Sequence, residues 1–192
     1  MNKKEIFTIP NVLSFYRVLI FPVIFWFILS GKETLFAVFL VINLVTDFFD
    51  GILARALKQQ TTLGARLDSF ADNLTYVLAF TGLFVFKAAD FMPHLASFIV
   101  FIAFLAGSVL MSLIKFKTTP SFHLYSTKAG GYIQAAFFII LFTVGFIPAF
   151  YYFMISWGIL AAIEHMIIQM LLPNMKSNVK GLWWVLKERK KP

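Results

Sequence analysis

The chain has 192 residues and no cysteine; 60% of its residues are hydrophobic and only 14% are charged. Soluble domains are nearer 45–50% apolar and about 25% charged, so this composition excludes a soluble enzyme, a disordered chain and a disulfide scaffold. It also excludes a porin-type barrel, whose strands alternate over segments of about ten residues, because the apolar runs here extend over about 20 residues. The composition therefore predicts an all-α integral membrane protein.

Six long apolar segments follow one another, each long enough to cross a bilayer as a helix. Turn-forming residues separate them, among them Gly31, Pro93, Pro120 and Pro148. No linker or repeat divides the chain, so residues 1–192 are predicted to form one domain, a bundle of six transmembrane helices. The predicted spans are 12–30, 34–56, 64–87, 94–116, 128–148 and 150–172.

The positive charges are distributed unevenly between the two ends of these spans. Of the 17 Lys and Arg residues, 15 fall on one side, Arg17 being counted among them, and only Lys32 and Lys87 fall on the other. The positive-inside rule then places both termini in the cytoplasm, in a cytoplasmic (inner) membrane. Residues 2–9 and 176–191 are predicted to lie at the membrane interface, the latter among lipid headgroups. The net charge of +8 therefore predicts no nucleic-acid partner.

Four aspartates interrupt the second and third spans. Asp47 and Asp50 are three residues apart, and Asp68 and Asp72 are four apart, so each pair shares one face of its helix. A carboxylate inside a membrane costs roughly 2.5–3.5 kcal/mol, and four together also repel one another. Because the two helices are antiparallel neighbours, the pairs are predicted to face each other near the cytoplasmic end. Such oxygen ligands suit Mg²⁺ or Mn²⁺, and a site with two ions would use all four carboxylates.

Two glycines and an arginine beside the aspartates point to an anionic ligand. Gly51 lies inside a predicted helix, where glycine costs about 1 kcal/mol, so a ligand is expected to approach the backbone there. Gly64 begins the third span, where free N–H groups favour an anion. Arg55 is one turn beyond Gly51 and has the geometry to pair with a phosphate.

These residues form a recognisable pattern. Residues 47–55 read Asp-Phe-Phe-Asp-Gly-Ile-Leu-Ala-Arg, and residues 64–72 read Gly-Ala-Arg-Leu-Asp-Ser-Phe-Ala-Asp. The pattern resembles the signature of class I CDP-alcohol phosphotransferases, also called CDP-alcohol phosphatidyltransferases, of the bacterial type. The six predicted spans are similar to the family fold. Residues 9–14, Ile-Pro-Asn-Val-Leu-Ser, with Arg17 beyond them, look like the start of the first helix in bacterial members that make phosphatidylglycerol phosphate.

The resemblance implies a phospholipid-synthesising transferase. Such enzymes move a phosphatidyl group from CDP-diacylglycerol to the hydroxyl of a small alcohol and release CMP. It implies that Asp47, Asp50 and Asp68 hold two Mg²⁺ or Mn²⁺ ions, and that Asp72 completes the second site and acts as general base. The donor-binding residues that it implies, together with those inferred above, are Pro10, Asn11, Asp47, Gly51, Ala54, Arg55, Thr61 and Gly64. Membership would also make a homodimer plausible.

The acceptor is less closely specified. Lys115, Lys117 and Lys128 form a basic cluster on the catalytic side, which would suit a phosphorylated acceptor such as glycerol 3-phosphate, although the positive-inside topology alone accounts for the same charges. Ser69 and Asn73 stand where glycerol-phosphate enzymes usually have Pro and Lys, and this resembles the serine-using branch. Glycerol 3-phosphate is the preferred acceptor, and serine, inositol phosphate and phosphatidylglycerol stay open.

The alternative of a different class is an ion-coupled membrane transporter, since such proteins also carry carboxylates within the membrane. It is disfavoured because the aspartates gather at one end of one hairpin and no broken helix is predicted at mid-membrane. In the sixth predicted span, Glu164 and His165 form a polar pair, for which an interhelical hydrogen bond is favoured over a functional role.

Overall fold

The computed structural model describes residues 8–57, 59, 61–118, 124–174 and 179–189. These residues form helices joined by short loops. The chain divides into two compact units: residues 1–91 with 142–144, and residues 92–141 with 145–192. The all-helical architecture predicted from the composition is confirmed for the part of the chain that is described.

The first unit contains three long helices and one short one. They are α1 (Ile9–Leu29), α2 (Glu33–Ala56), α3 (Thr62–Phe86) and α4 (Ala88–Phe91). A buried apolar layer holds α2 against α3 at one end of the unit, where Phe36 is fully buried. A Cβ atom at Gly82 would lie 2.3 Å from the Phe36 ring, so only glycine allows this close packing. The other end of the same three helices carries the polar site described below.

The second unit begins with a 3-10 turn and contains four helices. They are α5 (Leu95–Phe116), α6 (Tyr125–Thr143, whose last two residues belong to the first unit), α7 (Pro148–Leu171) and α8 (Leu182–Arg189). Helices α5 and α7 pack closely at Gly158, where a Cβ atom would lie only 2.3 Å from the Phe101 ring. At the start of α6, the backbone N–H of Tyr125 donates to the carbonyl of Lys180, just before α8.

Five helical segments within the described residues are long and apolar enough to cross a membrane: Ile9–Leu29, Glu33–Ala54, Leu63–Phe86, Ala88–Phe116 and Pro148–Leu171. Their bounds agree with five of the predicted spans to within a few residues, except that the fourth span begins earlier. Helix α6 stands where the remaining span was predicted and ends at Thr143, five residues before the predicted bound. Its first two turns carry Ser126, Thr127, Lys128 and two glycines, so it is less apolar than the others.

The predicted interfacial tails are only partly described. Residues 2–7 of the first tail lie outside the described residues, and so do 175–178 and 190–192 around the second. Within the second tail, α8 exposes Trp183, and the Lys187 ammonium lies 4.8 Å from the centre of the Trp183 ring. An exposed tryptophan beside a lysine is typical of a helix at a membrane surface.

Candidate functional site

The start of α1 presents one buried polar face. The Thr8 hydroxyl caps the helix by accepting the backbone N–H of Asn11 at 3.4 Å, and Pro10 stands in the first turn, where its missing N–H costs nothing. Ser14 lies one turn further along, and its hydroxyl donates to the Pro10 carbonyl at 3.2 Å and to Asp50 Oδ2 at 3.4 Å. The first two turns of α1 therefore face the carboxylates of α2.

The connection between α2 and α3 closes against this face of α1. The backbone N–H of Ile9 donates to Gln59 Oε1 at 3.3 Å, and the Thr61 hydroxyl caps α3 by accepting the N–H of Gly64 at 2.9 Å. A Cβ atom at Gly64 would lie 2.3 Å from Asn11 Oδ1. Glycine at position 64 thus allows the first turns of α1 and α3 to come together.

A cavity of about 360 Å³ lies between these segments of the first unit. Six of the eight predicted donor residues line it; Asp47 belongs to the adjoining carboxylate cluster, and for Arg55 only the backbone, in the last turn of α2, is described. Gln59 and Ala65, which the sequence reasoning did not single out, also line it. The lining residues are Pro10, Asn11, Ser14, Asp50, Gly51, Ala54, Gln59, Thr61, Gly64, Ala65 and Asp68.

The four predicted aspartates converge beside this cavity, and Asp50 and Asp68 line both. Asp47, Asp50 and Asp68 each place one carboxylate oxygen within 4.8 Å of the others. The Asp50 side chain is nearly buried at 4% exposure, whereas those of Asp47, Asp68 and Asp72 are 37–39% exposed. The spacing along α2 and α3 thus brings the carboxylates together as predicted, with Asp72 beside the compact trio.

Arg17 of α1 ion-pairs with all four aspartates, a set of contacts that the sequence reasoning did not predict. Its Nη1 donates to Asp47 Oδ1 at 2.6 Å and to Asp72 Oδ1 at 2.8 Å. Its Nη2 donates to Asp50 Oδ2 at 2.7 Å and to Asp68 Oδ1 at 2.6 Å. Sequence reasoning assigned Arg17 to the cytoplasmic charge count. An arginine inside an apolar span, in a chain with four intramembrane carboxylates, was the available signal for a buried pair.

The donor set fits the divalent ions that were predicted. All four side chains supply hard carboxylate oxygens, which Mg²⁺ and Mn²⁺ prefer, and three of them already converge. The Arg17 guanidinium stands among them as a cation, so the site attracts positive charge. The residues that would hold an ion are Asp47, Asp50, Asp68 and Asp72.

The three predicted acceptor lysines lie in the second unit. Lys115 caps the end of α7, donating to the carbonyls of Gln169 at 2.7 Å and Met170 at 3.2 Å. Lys117 ends α5 in the left-handed conformation, with φ of 55°. Lys128 is exposed in the first turn of α6. Lys115 therefore has a structural role in helix capping that its sequence pattern did not indicate.

The polar pair in α7 makes interhelical hydrogen bonds, as predicted. His165 Nδ1 lies 2.5 Å from the Ser108 hydroxyl of α5. Glu164 accepts the Ser126 hydroxyl of α6 and, at 2.8 Å, the backbone N–H of Leu182 at the start of α8. Glu164 thus joins three helices of the second unit.

The membrane-length helices among the described residues indicate an integral membrane protein, and its carboxylate cluster has the donor set for a divalent cation beside an adjoining cavity. The chain belongs to the CDP-alcohol phosphatidyltransferase family, whose profile matches residues 7–171. No solved structure matches it.

Bacterial relatives share part of the chain. Three proteins named CDP-diacylglycerol--glycerol-3-phosphate 3-phosphatidyltransferase are similar to it. The Wigglesworthia glossinidia brevipalpis protein is 37% identical over 73 residues, 36% of this chain and 40% of that protein. The Aquifex aeolicus protein is 28% identical over 118 residues, 60% and 66% of the two chains. The Escherichia coli K12 protein is 36% identical over 76 residues, 38% and 42%. The matched stretches thus span less than two thirds of these relatives' own lengths.

Proposed function

We propose that this protein transfers the phosphatidyl group of CDP-diacylglycerol to the hydroxyl of glycerol 3-phosphate and releases CMP. Family membership supports the reaction class. The names of the bacterial relatives favour glycerol 3-phosphate over the serine acceptor that Ser69 and Asn73 suggested.

The observation that carries the proposal is the continuity between cavity and carboxylates. Asp50 and Asp68 line the cavity and also belong to the cluster. A nucleoside diphosphate held in the cavity by the start of α1, Gly51 and Thr61 would therefore bring its phosphates to the carboxylates. A volume of about 360 Å³ is within the range of small-molecule sites. The lipid tails would extend sideways into the bilayer.

In the proposed reaction, the acceptor hydroxyl attacks the phosphorus that carries the diacylglycerol. A new P–O bond forms, the P–O bond to the CMP phosphate breaks, and the electron pair leaves with CMP. Asp72 takes the hydroxyl proton. Its partial exposure and its position beside the compact trio suit that role, since a general base must reach a substrate proton. Bound divalent ions would supply neutralisation of the pyrophosphate charge and stabilisation of the leaving group.

The acceptor phosphate is proposed to bind the basic residues Lys115, Lys117 and Lys128. Lys128 is the strongest candidate, because its side chain is exposed and the N-terminus of α6 adds the positive end of a helix dipole. The transporter alternative has lost support, since α2 and α3 run unbroken through the four aspartates.

The deciding experiment is CMP release by the purified chain with CDP-diacylglycerol and Mg²⁺ or Mn²⁺. The acceptor panel contains glycerol 3-phosphate, serine, inositol phosphate and phosphatidylglycerol. We expect metal-dependent release with glycerol 3-phosphate. Release with another acceptor alone would correct the acceptor, and silence across the panel from folded protein would refute the proposal.

Asp72→Asn tests the proposed base. Loss of a general base lowers turnover by about 10²- to 10⁴-fold, and donor binding is expected to persist because the trio remains. Asp90→Asn is the matched control, since Asp90 is exposed on α4 and lies outside the cluster. Near-normal turnover in Asp72→Asn would remove Asp72 from this role.

We also propose that the chain crosses the inner membrane six times, with both termini in the cytoplasm. We further propose that it forms a homodimer. The 19 residues of α6 extend about 28 Å, close to the hydrocarbon thickness of about 30 Å. Because the chain has no cysteine, Lys32→Cys and Lys187→Cys can report on the two sides. An impermeant maleimide should label Lys32→Cys in intact cells and Lys187→Cys only after permeabilisation. Labelling of both in intact cells would contradict this topology. The proposed homodimer is tested separately, by light scattering of the purified chain.

A further inference from the structure

Arg17 is placed at the centre of the carboxylate cluster and not at its edge. Each terminal nitrogen of the guanidinium bridges one carboxylate of α2 and one of α3: Nη1 joins Asp47 to Asp72, and Nη2 joins Asp50 to Asp68. These are the two pairs that an antiparallel hairpin sets opposite each other. The two nitrogens thus stand among the carboxylate oxygens that would hold a divalent ion.

A divalent ion and the guanidinium cannot share this position. Mg²⁺ binds oxygen at about 2.0–2.1 Å, so an ion held by the carboxylate oxygens of this cluster would need the space that the guanidinium nitrogens fill. The nitrogens of one guanidinium are also closer together than the roughly 3.5–4 Å that separates paired catalytic ions. Like charges at such distances repel strongly in a partly buried site.

The arginine is held in the cluster by these ion pairs. Its side chain is fully buried, and its Nε has no hydrogen-bond partner among the described residues. A buried donor without a partner is destabilising, so the ion pairs of the two terminal nitrogens must offset the desolvation of the whole group. Once a stronger cation takes the carboxylates, no described hydrogen bond keeps the guanidinium in place.

We propose that Arg17 is a resident cation of the carboxylate cluster, which divalent metal must displace in order to bind. The inference rests on the metal site of the proposed function. In the metal-free protein, Arg17 holds the four aspartates together and keeps α1 against α2 and α3. Metal binding is then an exchange of one cation for another, and Arg17 is a positioning residue that lowers the apparent metal affinity.

The first test is Mn²⁺ affinity, measured by electron paramagnetic resonance on the purified full chain without donor or acceptor. If Arg17 occupies the site in nine of ten metal-free molecules or more, the apparent dissociation constant is raised about tenfold or more. Arg17→Met should therefore bind Mn²⁺ at least tenfold more tightly than the unchanged chain. Lys87→Met is the matched control: Lys87 pairs with Glu33 at 2.7 Å in the same unit, and its loss should leave the affinity unchanged.

The second test is thermal unfolding in EDTA and in Mn²⁺, followed by tryptophan fluorescence. Mn²⁺ should raise the unfolding temperature of the unchanged chain only modestly, because the loss of the Arg17 ion pairs offsets part of the gain from metal binding. Arg17→Met should unfold at a clearly lower temperature in EDTA and recover in Mn²⁺. A merely structural arginine would lower both temperatures alike and would not tighten metal binding.

The inference is overturned if Arg17→Met binds Mn²⁺ no more tightly, or if EDTA lowers its unfolding temperature no more than that of the unchanged chain. If Arg17→Met does not fold in either condition, the Mn²⁺ affinity of Arg17→Lys is measured in its place. One ammonium cannot reproduce the fork, so Arg17→Lys should still bind Mn²⁺ more tightly, and unchanged affinity would refute the inference.

These readouts separate the inference from the proposed function. Tighter Mn²⁺ binding without CMP release would refute the function and keep the exchange. Metal-dependent CMP release by the unchanged chain, with unchanged Mn²⁺ affinity in Arg17→Met, would support the function and refute the exchange.

Discussion

Replacement of Gly51 by alanine tests whether a ligand approaches the backbone of α2. Gly51 lines the cavity, and a Cβ atom there would meet no protein atom within 4 Å. The protein itself therefore has room for the methyl group. Alanine is also favoured over glycine inside a helix by about 1 kcal/mol, so the fold should become more stable. For a chain of this length, that gain corresponds to an unfolding temperature about 2–4 °C higher.

The same methyl group should weaken donor binding, because it takes space that the nucleoside diphosphate is proposed to fill. Crowding of a well-packed contact by one methyl group costs about 1–3 kcal/mol. This predicts a KM for CDP-diacylglycerol about 5- to 150-fold higher in the CMP-release assay. Stability and donor binding would then change in opposite directions.

Gly107→Ala is the control for this pair of effects. Gly107 is a half-buried helical glycine like Gly51, and a Cβ atom there also meets nothing within 4 Å. It belongs to α5 and is not among the residues that line the cavity. It should show the same gain in unfolding temperature with no change in KM. If the KM of Gly51→Ala stays within twofold of that of Gly107→Ala, no ligand approaches Gly51 and the cavity is not the donor site.

Three further changes have distinct expected outcomes. Gly64→Ala would place a Cβ atom 2.3 Å from Asn11 Oδ1, so we expect a loss of about 1–3 kcal/mol in the free energy of unfolding; an unchanged unfolding temperature would contradict the close approach. Asn43→Leu replaces a buried side-chain amide that has no hydrogen-bond partner among the described residues, so the free energy of unfolding should rise by about 1–3 kcal/mol. A lower free energy of unfolding would instead show that the amide is hydrogen-bonded in the folded protein. Glu164→Gln weakens the bond to the Leu182 N–H, so amide exchange there should quicken about fivefold; unchanged exchange would show that α8 is held otherwise.

The sequence was sufficient to predict the parts of the site that depend on local periodicity. Asp47 with Asp50, and Asp68 with Asp72, share helix faces because of their spacing alone. A short connection makes the two helices antiparallel, which sets the pairs opposite each other. Among the cavity residues, Gly51 was predicted from the cost of a glycine inside a helix, whereas Thr61 was implied only by the family resemblance. Five spans follow from their length and hydropathy.

What the sequence did not predict depends on contacts between distant segments. The positive-inside rule counts every Lys and Arg alike, so it could not distinguish Arg17, which is buried among carboxylates, from a loop lysine. In the same way, Lys115 was counted as a charge, although it caps the last turn of α7. The close approach of Asn11 to Gly64 also joins positions 53 residues apart, and no local pattern records it.

The charge balance of the site connects these contacts to its proposed chemistry. With all four carboxylates ionised, the cluster and the Arg17 guanidinium together carry three net negative charges beside the cavity. A negatively charged pyrophosphate would be repelled from the site in that state. Two divalent ions in place of the guanidinium would neutralise the four carboxylates and remove that repulsion. The proposed exchange therefore predicts that the donor binds the Arg17-filled cluster poorly, and that metal replaces Arg17 before or as the donor binds.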